Sequence, residues 1–375
     1  MSVSGQLKFS PWVASARIAG GFRGNLTVVD LVPPDMLHMV DNHWYQYPPM
    51  DPMWYNILTV LITILSLFAI VGNGMVLYIF GSTKSLRTPS NLLVCNLALS
   101  DFGTMSTMGI PVIITSYHQK WILGPFMCEL YGCLGGLFGG SAIWTMAIIA
   151  LDRYNVIVKG LSGKPLTIKG ALLKLLLVWL FIAGWTIAPL FGWGRYTPEG
   201  NMTACGTDYL SKSWVNKSYI LAYSAFVYFL PLFTIIYSYW FIVQAVAAHE
   251  KAMREQAKKM NVASLRSSDT NETSAECKLA KVALVTISLW FMAWTPYLIT
   301  NYIGVFETAS ITPLGSIWCS VFAKTGSVYN PIVYAISHPK YKQALHAKFP
   351  FLQCGGGASE TTSAASGAAA EENKA

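Results

Sequence analysis

A single lysine in the middle of an apolar stretch is the strongest chemical signal in this chain. Between Thr308 and Pro339 there is no other acidic or basic side chain except His338, near the end. A helix needs about 20 apolar residues to cross a bilayer, and Lys324 falls near the middle of this stretch. An ammonium at that depth costs several kcal/mol on insertion scales, so it demands a partner, a water-filled cavity or a covalent role. A buried lysine is also the side chain that forms Schiff bases with carbonyl compounds, because desolvation frees its amine as a nucleophile.

The elements that must position this lysine follow from composition. Hydrophobic residues make up 53% of the 375 and charged residues 12%, about half the charge of an ordinary soluble domain. With a mean hydropathy of +0.43, the chain reads as an all-α, polytopic membrane protein. The net charge of +8 does not point to nucleic acid, because the basic residues cluster in short segments between apolar runs. Seven apolar segments stand out, at 53–81, 90–115, 126–150, 175–194, 218–247, 282–306 and 309–337. Each is long enough to span as a helix, and Pro111, Pro189, Pro231, Pro296 and Pro331 are kinks of the kind membrane helices tolerate.

Lys84 and Arg87, Lys159 to Lys174, Lys251 to Lys281 and Lys340 to Lys348 occupy alternate connections. This places those connections inside and the N-terminus outside. The first 50 residues lack the basic start and apolar core of a cleaved leader. The division is an outer segment at 1–52, the seven-helix domain at 53–339, a membrane-surface helix at 340–354 and a disordered tail at 355–375. The surface helix is expected from Tyr341, Leu345, Phe349 and Leu352 on one face, with Lys340, Lys342 and Lys348 beside it. Met253, Ala257 and Met260 leave open whether the fifth helix runs on into the cytoplasm or ends in a charged linker. The sequons at Asn25, Asn201 and Asn216 fall outside and are candidate N-glycosylation sites, whereas Asn271 falls inside.

Cys128 and Cys205 both face the oxidising side, and a disulfide between them is expected on topology. Cys95, Cys133 and Cys319 read as packing residues. Cys354, beside a basic amphipathic helix, is a palmitoylation candidate, and Cys277 a free thiol.

Short motifs recur at matching depths: Gly72-Asn73, Leu97-Ala-Leu-Ser-Asp101, Asp152-Arg153-Tyr154, Trp294-Thr-Pro296 and Asn330-Pro331-Ile-Val-Tyr334. In this order on seven spans they resemble the rhodopsin-like G-protein-coupled receptors, over about residues 53 to 354. Lys324, six residues before Asn330, narrows the resemblance to opsins. His338-Pro339-Lys340-Tyr341 and the long basic third inner loop look like arthropod long-wavelength visual opsins. The resemblance implies a photoreceptor in which Lys324 binds 11-cis-retinal, or 3-hydroxyretinal, as a protonated Schiff base that light isomerises to all-trans. It further implies a heterotrimeric G protein of the Gq class, arrestin and a receptor kinase as partners, phosphorylation, and the microvillar plasma membrane of a rhabdomeric photoreceptor.

Read as residues, the motifs suggest more limited roles. Asp101, Asn73 and Asn330 form a polar network, with or without a switching role. Arg153 pairs with Asp152 or reaches Glu276 at the foot of the sixth span; the alternative is two charges snorkelling to headgroups. With Tyr154, Pro331 and Tyr334 these make up the expected G-protein switch. Trp294 and Tyr297 are candidate ligand walls or ordinary packing. Gly135, Gly136, Gly139 and Gly140 share one helix face; Gly135, Gly136 and Gly139 read as room for a polyene or as a helix-packing stripe.

A buried cation needs an opposite charge. Vertebrate visual pigments resemble one another in carrying a glutamate one turn after the third-span cysteine, where this chain has Tyr131. Glu199, six residues before Cys205, sits where the invertebrate counterion would, and is assigned that role here with Tyr131 as a polar neighbour; the alternative is a solvated loop acid. Met108 stands where ultraviolet opsins carry a lysine. Competing readings are a light-driven ion transporter, disfavoured because Asp101 is the one carboxylate well within a span, a receptor for a diffusible ligand, and a retinal photoisomerase. The chain is not expected to be an enzyme or to hold a metal.

Overall fold

The structure is a computed structural model and describes residues 26–259, 268–337 and 339–352. Three of the spanning helices start where a side-chain cap meets an apolar run. The helix α1 (Pro52–Ser82) begins at Asp51, whose carboxylate accepts the Met53 N–H at 2.9 Å. Thr88 caps α2 (Pro89–Tyr117) through the Asn91 N–H at 3.2 Å. Proline occupies the first turn of both, where its missing N–H costs nothing. The helix α3 (Gly124–Ile157) carries the Asp152-Arg153-Tyr154 motif inside its last turns rather than beyond its end. Thr167 caps α4 (Ile168–Ile187) by accepting from the Gly170 N–H at 3.0 Å. That cap starts α4 well before residue 175 and puts Lys169 and Lys174 on the helix instead of in a loop.

A fifth helix, α5, runs from Trp214–Tyr223 through a π turn at Ser224–Phe229 into Leu230–Lys259. It therefore does extend past the apolar span, at least to Lys259; Met260 lies outside the described residues. The bundle is completed by α6 (Ser268–Phe306) and α7 (Pro313–Ser337), with α8 (Pro339–Lys348) following. Among the described residues, α1 to α6 are long and apolar enough to cross a membrane. The seventh helix, α7, is more polar because it buries Ser316, Ser320, Lys324, Ser327 and Asn330. It packs along α6, α1 and α2, so its polar face turns inward and the seven-helix reading holds.

Pro331 shows how sequence and packing meet. A proline has no N–H to give the carbonyl four residues back, here that of Ser327. The Asn73 amide of α1 donates to that carbonyl at 2.9 Å. Gly72 lets the helices close up, since a Cβ there would lie 2.8 Å from the Pro331 ring.

Two features at the disulfide end were not visible in the sequence. Between α4 and α5 the chain forms an antiparallel hairpin of β1 (Tyr196–Glu199) and β2 (Ala204–Thr207), with Pro198 opposite Cys205 and Glu199 opposite Ala204. Its turn uses left-handed backbone at Gly200 (φ +53°) and Met202 (φ +60°). The turn is buried: the Tyr55 hydroxyl donates to the Asn201 carbonyl at 3.2 Å and the Thr115 hydroxyl to that of Thr203 at 2.6 Å. Above it, three 3-10 turns, Val28–Leu31, Pro34–Met39 and Asn42–Gln46, form a cap. Met36 and Trp44 of the cap share one core with Trp121, Cys128, Met202 and Tyr209.

Two sequence expectations need correction. Asn201 is 1% exposed and Asn216 is 8% exposed. The Asn201 side-chain oxygen accepts from Thr203, and the Asn216 amide donates to Asp208 at 2.9 Å. Neither amide has room for a glycan in the folded protein; Asn25 lies outside the described residues. The helix α8 forms where the amphipathic pattern placed it. Tyr341 and Leu345 are buried against the foot of α1, with Tyr341 stacked on Phe80 at 5.4 Å between ring centroids. Their apolar face is used by the protein itself, and Lys342 and Lys348 remain exposed. Cys354 and the side chain of Cys277 lie outside the described residues.

Candidate functional site

Lys324 is 3% exposed, near the middle of α7. Its Nζ donates to Ser320 Oγ at 2.9 Å, one turn back on the same face, and lies 5.9 Å from the centroid of the Tyr131 ring. It borders a cavity between the helices that is open at its mouth. The cavity reaches from Lys324 and Ser320 on α7, past Trp294 and Tyr297 on α6 and the glycine face of α3, to Tyr223, Ser224 and Tyr228 on α5. It is a largely apolar space with an amine on its α7 wall.

The hairpin closes this cavity. The expected disulfide joins Cys128 at the start of α3 to Cys205 of β2, with Cα atoms 5.4 Å apart. Glu199, at the end of β1, is 3% exposed and faces into the cavity. Its Oε1 accepts from the Tyr297 hydroxyl at 2.8 Å. Burial pushes the Glu199 carboxyl up to about 7, against the opposing pull of the Tyr297 hydrogen bond and the positive charge of Lys324. Glu199 and Lys324 do not form a direct ion pair; they share the cavity and feel each other through it. Gly206 makes this possible, because a Cβ there would fall on the Glu199 carboxyl group and the Tyr297 hydroxyl. The solvated-acid alternative for Glu199 is excluded by its burial.

The α3 glycines serve neighbouring side chains more than backbones. A Cβ at each position would strike Met108 (from Gly135, 2.6 Å), Thr186 (from Gly136, 2.8 Å), Trp294 (from Gly139, 3.1 Å) and Ile182 (from Gly140, 2.8 Å). They seat side chains of α2, α4 and α6 close to α3 while still lining the cavity. Trp294 stacks on Trp290 at 5.4 Å, forming the cavity floor. Tyr131 is 2% exposed, and its hydroxyl has no partner among the described residues.

The remaining motifs lie below this cavity. The Asn330 amide donates to Asp101 Oδ2, joining α7 to α2 beside the Asn73–Ser327 bond. At the far end of α3, Arg153 Nη2 meets Asp152 Oδ2 at 2.6 Å, with both side chains under 10% exposed. The snorkelling alternative therefore does not apply. The side chains of Glu276 and Tyr334 lie outside the described residues.

Sequence reasoning missed Ser320, Thr207, Asn301 and Ser90. Ser320 had a signal, since four residues before Lys324 is the same helix face. The Thr207 hydroxyl donates to Asn301 at 2.8 Å across the cavity rim, a pairing that depends on the hairpin's fold and has no local signature.

The fold and the motifs agree with known proteins. Residues 72–334 match the family described as 7 transmembrane receptor (rhodopsin family). The chain is 67% identical over 343 residues to Opsin-1 of Manduca sexta, covering 92% of this chain and 90% of the relative. It is 65% identical over 335 residues to the long-wavelength rhodopsin of Apis mellifera, covering 89% of each. The crystal structure of squid rhodopsin superposes with a TM-score of 0.77 at 35% identity, over 85% of this chain and 91% of that one. A family match across most of the chain, relatives identical at two positions in three, and a buried lysine lining the cavity lead to one assignment: the chain is a multi-pass membrane receptor of the rhodopsin family and belongs to its opsins.

Proposed function

We propose that this opsin is a visual photoreceptor that uses Lys324 to hold its chromophore and couples light to a heterotrimeric G protein of the Gq class. The observation that carries the reading is the buried Lys324 lining a largely apolar cavity, with a buried carboxylate on its lid. The cavity fits such a group: its lining runs from the lysine on α7 to Tyr223 and Tyr228 on α5, its walls are aromatic and glycine-rich, and it has one amine and one acid. When bound through Lys324, 11-cis-retinal or its 3-hydroxy form supplies the light-driven isomerisation to the all-trans isomer.

The chain's own residues do the rest. Glu199 provides the negative charge for the lysine nitrogen, and Tyr297 holds its carboxylate by donating to Oε1. Tyr131 adds a polar hydroxyl on the α3 side. Gly135, Gly136 and Gly139 with Trp294 define the walls. The disulfide fixes the lid against α3 and keeps water from the lysine. Asp101, Asn73, Asn330 and Pro331 link the cavity floor to the end of the bundle that holds Asp152, Arg153 and Tyr154, with Glu276 and Tyr334 completing the G-protein switch. The disulfide end faces outward, with a glycan at Asn25. The Asp152 end faces the cytoplasm, where arrestin and a receptor kinase act and Cys354 is acylated. The membrane is that of the rhabdomeric microvilli.

Expression, addition of 11-cis-retinal in the dark and a spectrum test this. A visible band that is absent in Lys324→Ala is expected; no band in the unaltered protein overturns the reading. Light-dependent nucleotide exchange on a Gq-type protein separates a receptor from a transporter or an isomerase.

A further inference from the structure

Arg153 and Asp152 are neighbours on one helix, so their ion pair by itself ties α3 to nothing. A third group lies against it. Ser90 Oγ donates to Asp152 Oδ2 at 2.8 Å and accepts from Arg153 Nη2 at 3.0 Å. The Arg153 nitrogen meets that same carboxylate oxygen at 2.6 Å. The three atoms close a triangle in which one hydroxyl, with one proton and two lone pairs, serves both charges. Hydrogen bonds to ionised groups are stronger than neutral ones, and these are largely shielded from water.

Ser90 is held in place by its own helix. The Thr88 cap and Pro89 at the first position fix the opening turn of α2, and Ser90 is the next residue. The triangle borders a cavity between α2, α3 and α6 that is lined by Leu97, Met146, Thr286 and Ile287. Any outward swing of Arg153 into that space breaks its bond to Ser90 as well as its bond to Asp152.

We infer that Ser90 is a positioning residue of the resting switch: it clasps α2 to the Asp152–Arg153 pair and sets how rarely the receptor activates in the dark. This rests on the G-protein reading above. The resting state is weakened when the hydroxyl is lost, and dark activity rises.

Ser90→Thr and Ser90→Val differ from each other in a hydroxyl against a methyl of the same shape. Each is regenerated in the dark, and nucleotide exchange on a Gq-type protein is recorded before and after light. The valine protein is expected to show dark exchange about tenfold above the unaltered protein, a factor that 1.4 kcal/mol produces. The threonine protein should stay near the unaltered level, and both should keep the same absorption band. Adding Asp152→Asn to each should abolish the difference between them. Equal dark exchange in the two variants overturns the inference. So does failure of the valine protein, or of both proteins, to form pigment, since the hydroxyl or the site would then be a folding requirement and not a part of the switch. If the unaltered protein shows a visible band but no light-dependent exchange, the G-protein reading itself is what fails.

Discussion

At the residue scale, the placement of one carboxylate governs the site. Glu199 ordinarily titrates near 4.5, and burial raises it to about 7. In the chromophore-free protein the folded state therefore holds a proton that the unfolded state has released between those values. The sign follows: the stabilising contribution is full below about 4.5 and is lost as pH rises through about 7. Thermal unfolding of the chromophore-free protein should show a midpoint that falls across this window, and Glu199→Gln should flatten it. An unchanged slope in Glu199→Gln would remove Glu199 as the titrating group. Gly206 offers a second probe. A methyl there meets the Glu199 carboxyl and the Tyr297 hydroxyl, and overpacking of that kind costs about 1–3 kcal/mol. Gly206→Ala should keep the Cys128–Cys205 disulfide, read by mass after alkylation, yet shift or lose the visible band. The lysine was legible in the sequence because a lone charge in an apolar run has no ordinary explanation. Gly206 was not, because its reason is a carboxylate on the opposite strand. Asn201 and Asn216 were misleading for a related cause: a sequon records local chemistry, while burial is decided by the hairpin turn and by Asp208.

At the element scale, the hairpin depends on Asp208, just after β2. Its carboxylate pairs with Arg195, accepts the Asn216 amide at 2.9 Å, and takes the backbone N–H groups of Leu210 and Ser211. One acid thus joins the residue before β1, the loop after β2 and the start of α5. Removing one partner from a buried charge network costs about 3–5 kcal/mol, with less from Arg195, whose side chain is 44% exposed. Asp208→Ala should loosen the lid without touching the cavity wall. The check is the dark bleaching rate of the pigment in hydroxylamine, which should rise at least tenfold, while the absorption band before bleaching stays in place. Lid and cap were the part of the fold least legible in sequence. Helices announced themselves through length and hydropathy. Strands of four residues and 3-10 turns rest instead on contacts between Met36, Trp44, Met202 and Tyr209, which are distant in the chain. The face of α8 is the converse case: its amphipathic pattern was visible, but the pattern did not show that Tyr341 stacks on the Phe80 ring of α1.

At the scale of the whole molecule, a polar seam lies between the cavity and the Asp152 end of the bundle. Two bonds make it up: Asn73 donates to the Ser327 carbonyl that Pro331 leaves without a helical donor, and Asn330 donates to Asp101. This seam joins α1, α2 and α7 by bonds to groups that α-helical geometry alone leaves free, so α7 can exchange partners without breaking its own ladder. Below it, Asn96 on α2 donates to the Thr145 hydroxyl of α3 and accepts from the Trp179 indole of α4, each at 2.8 Å. The polar clamp formed there holds α2, α3 and α4 together. The arrangement predicts that α7 is the moving part and that α2 to α4 form a fixed frame. Asp101→Asn keeps the shape of the seam and replaces an acceptor by a group that also donates. It should leave the visible band unchanged, because no cavity wall is altered, and lower light-dependent nucleotide exchange. A coupling free energy between sites of about 1–3 kcal/mol corresponds to about 5–150-fold, so at least a fivefold loss is expected. Asn96→Ala instead weakens the frame. It should cost thermal stability in the dark and leave the light-to-dark exchange ratio within about twofold for the protein that remains folded, since separate, non-adjacent networks act additively. If Asn96→Ala lowered that ratio as much as Asp101→Asn does, the division into a moving helix and a fixed frame would be wrong.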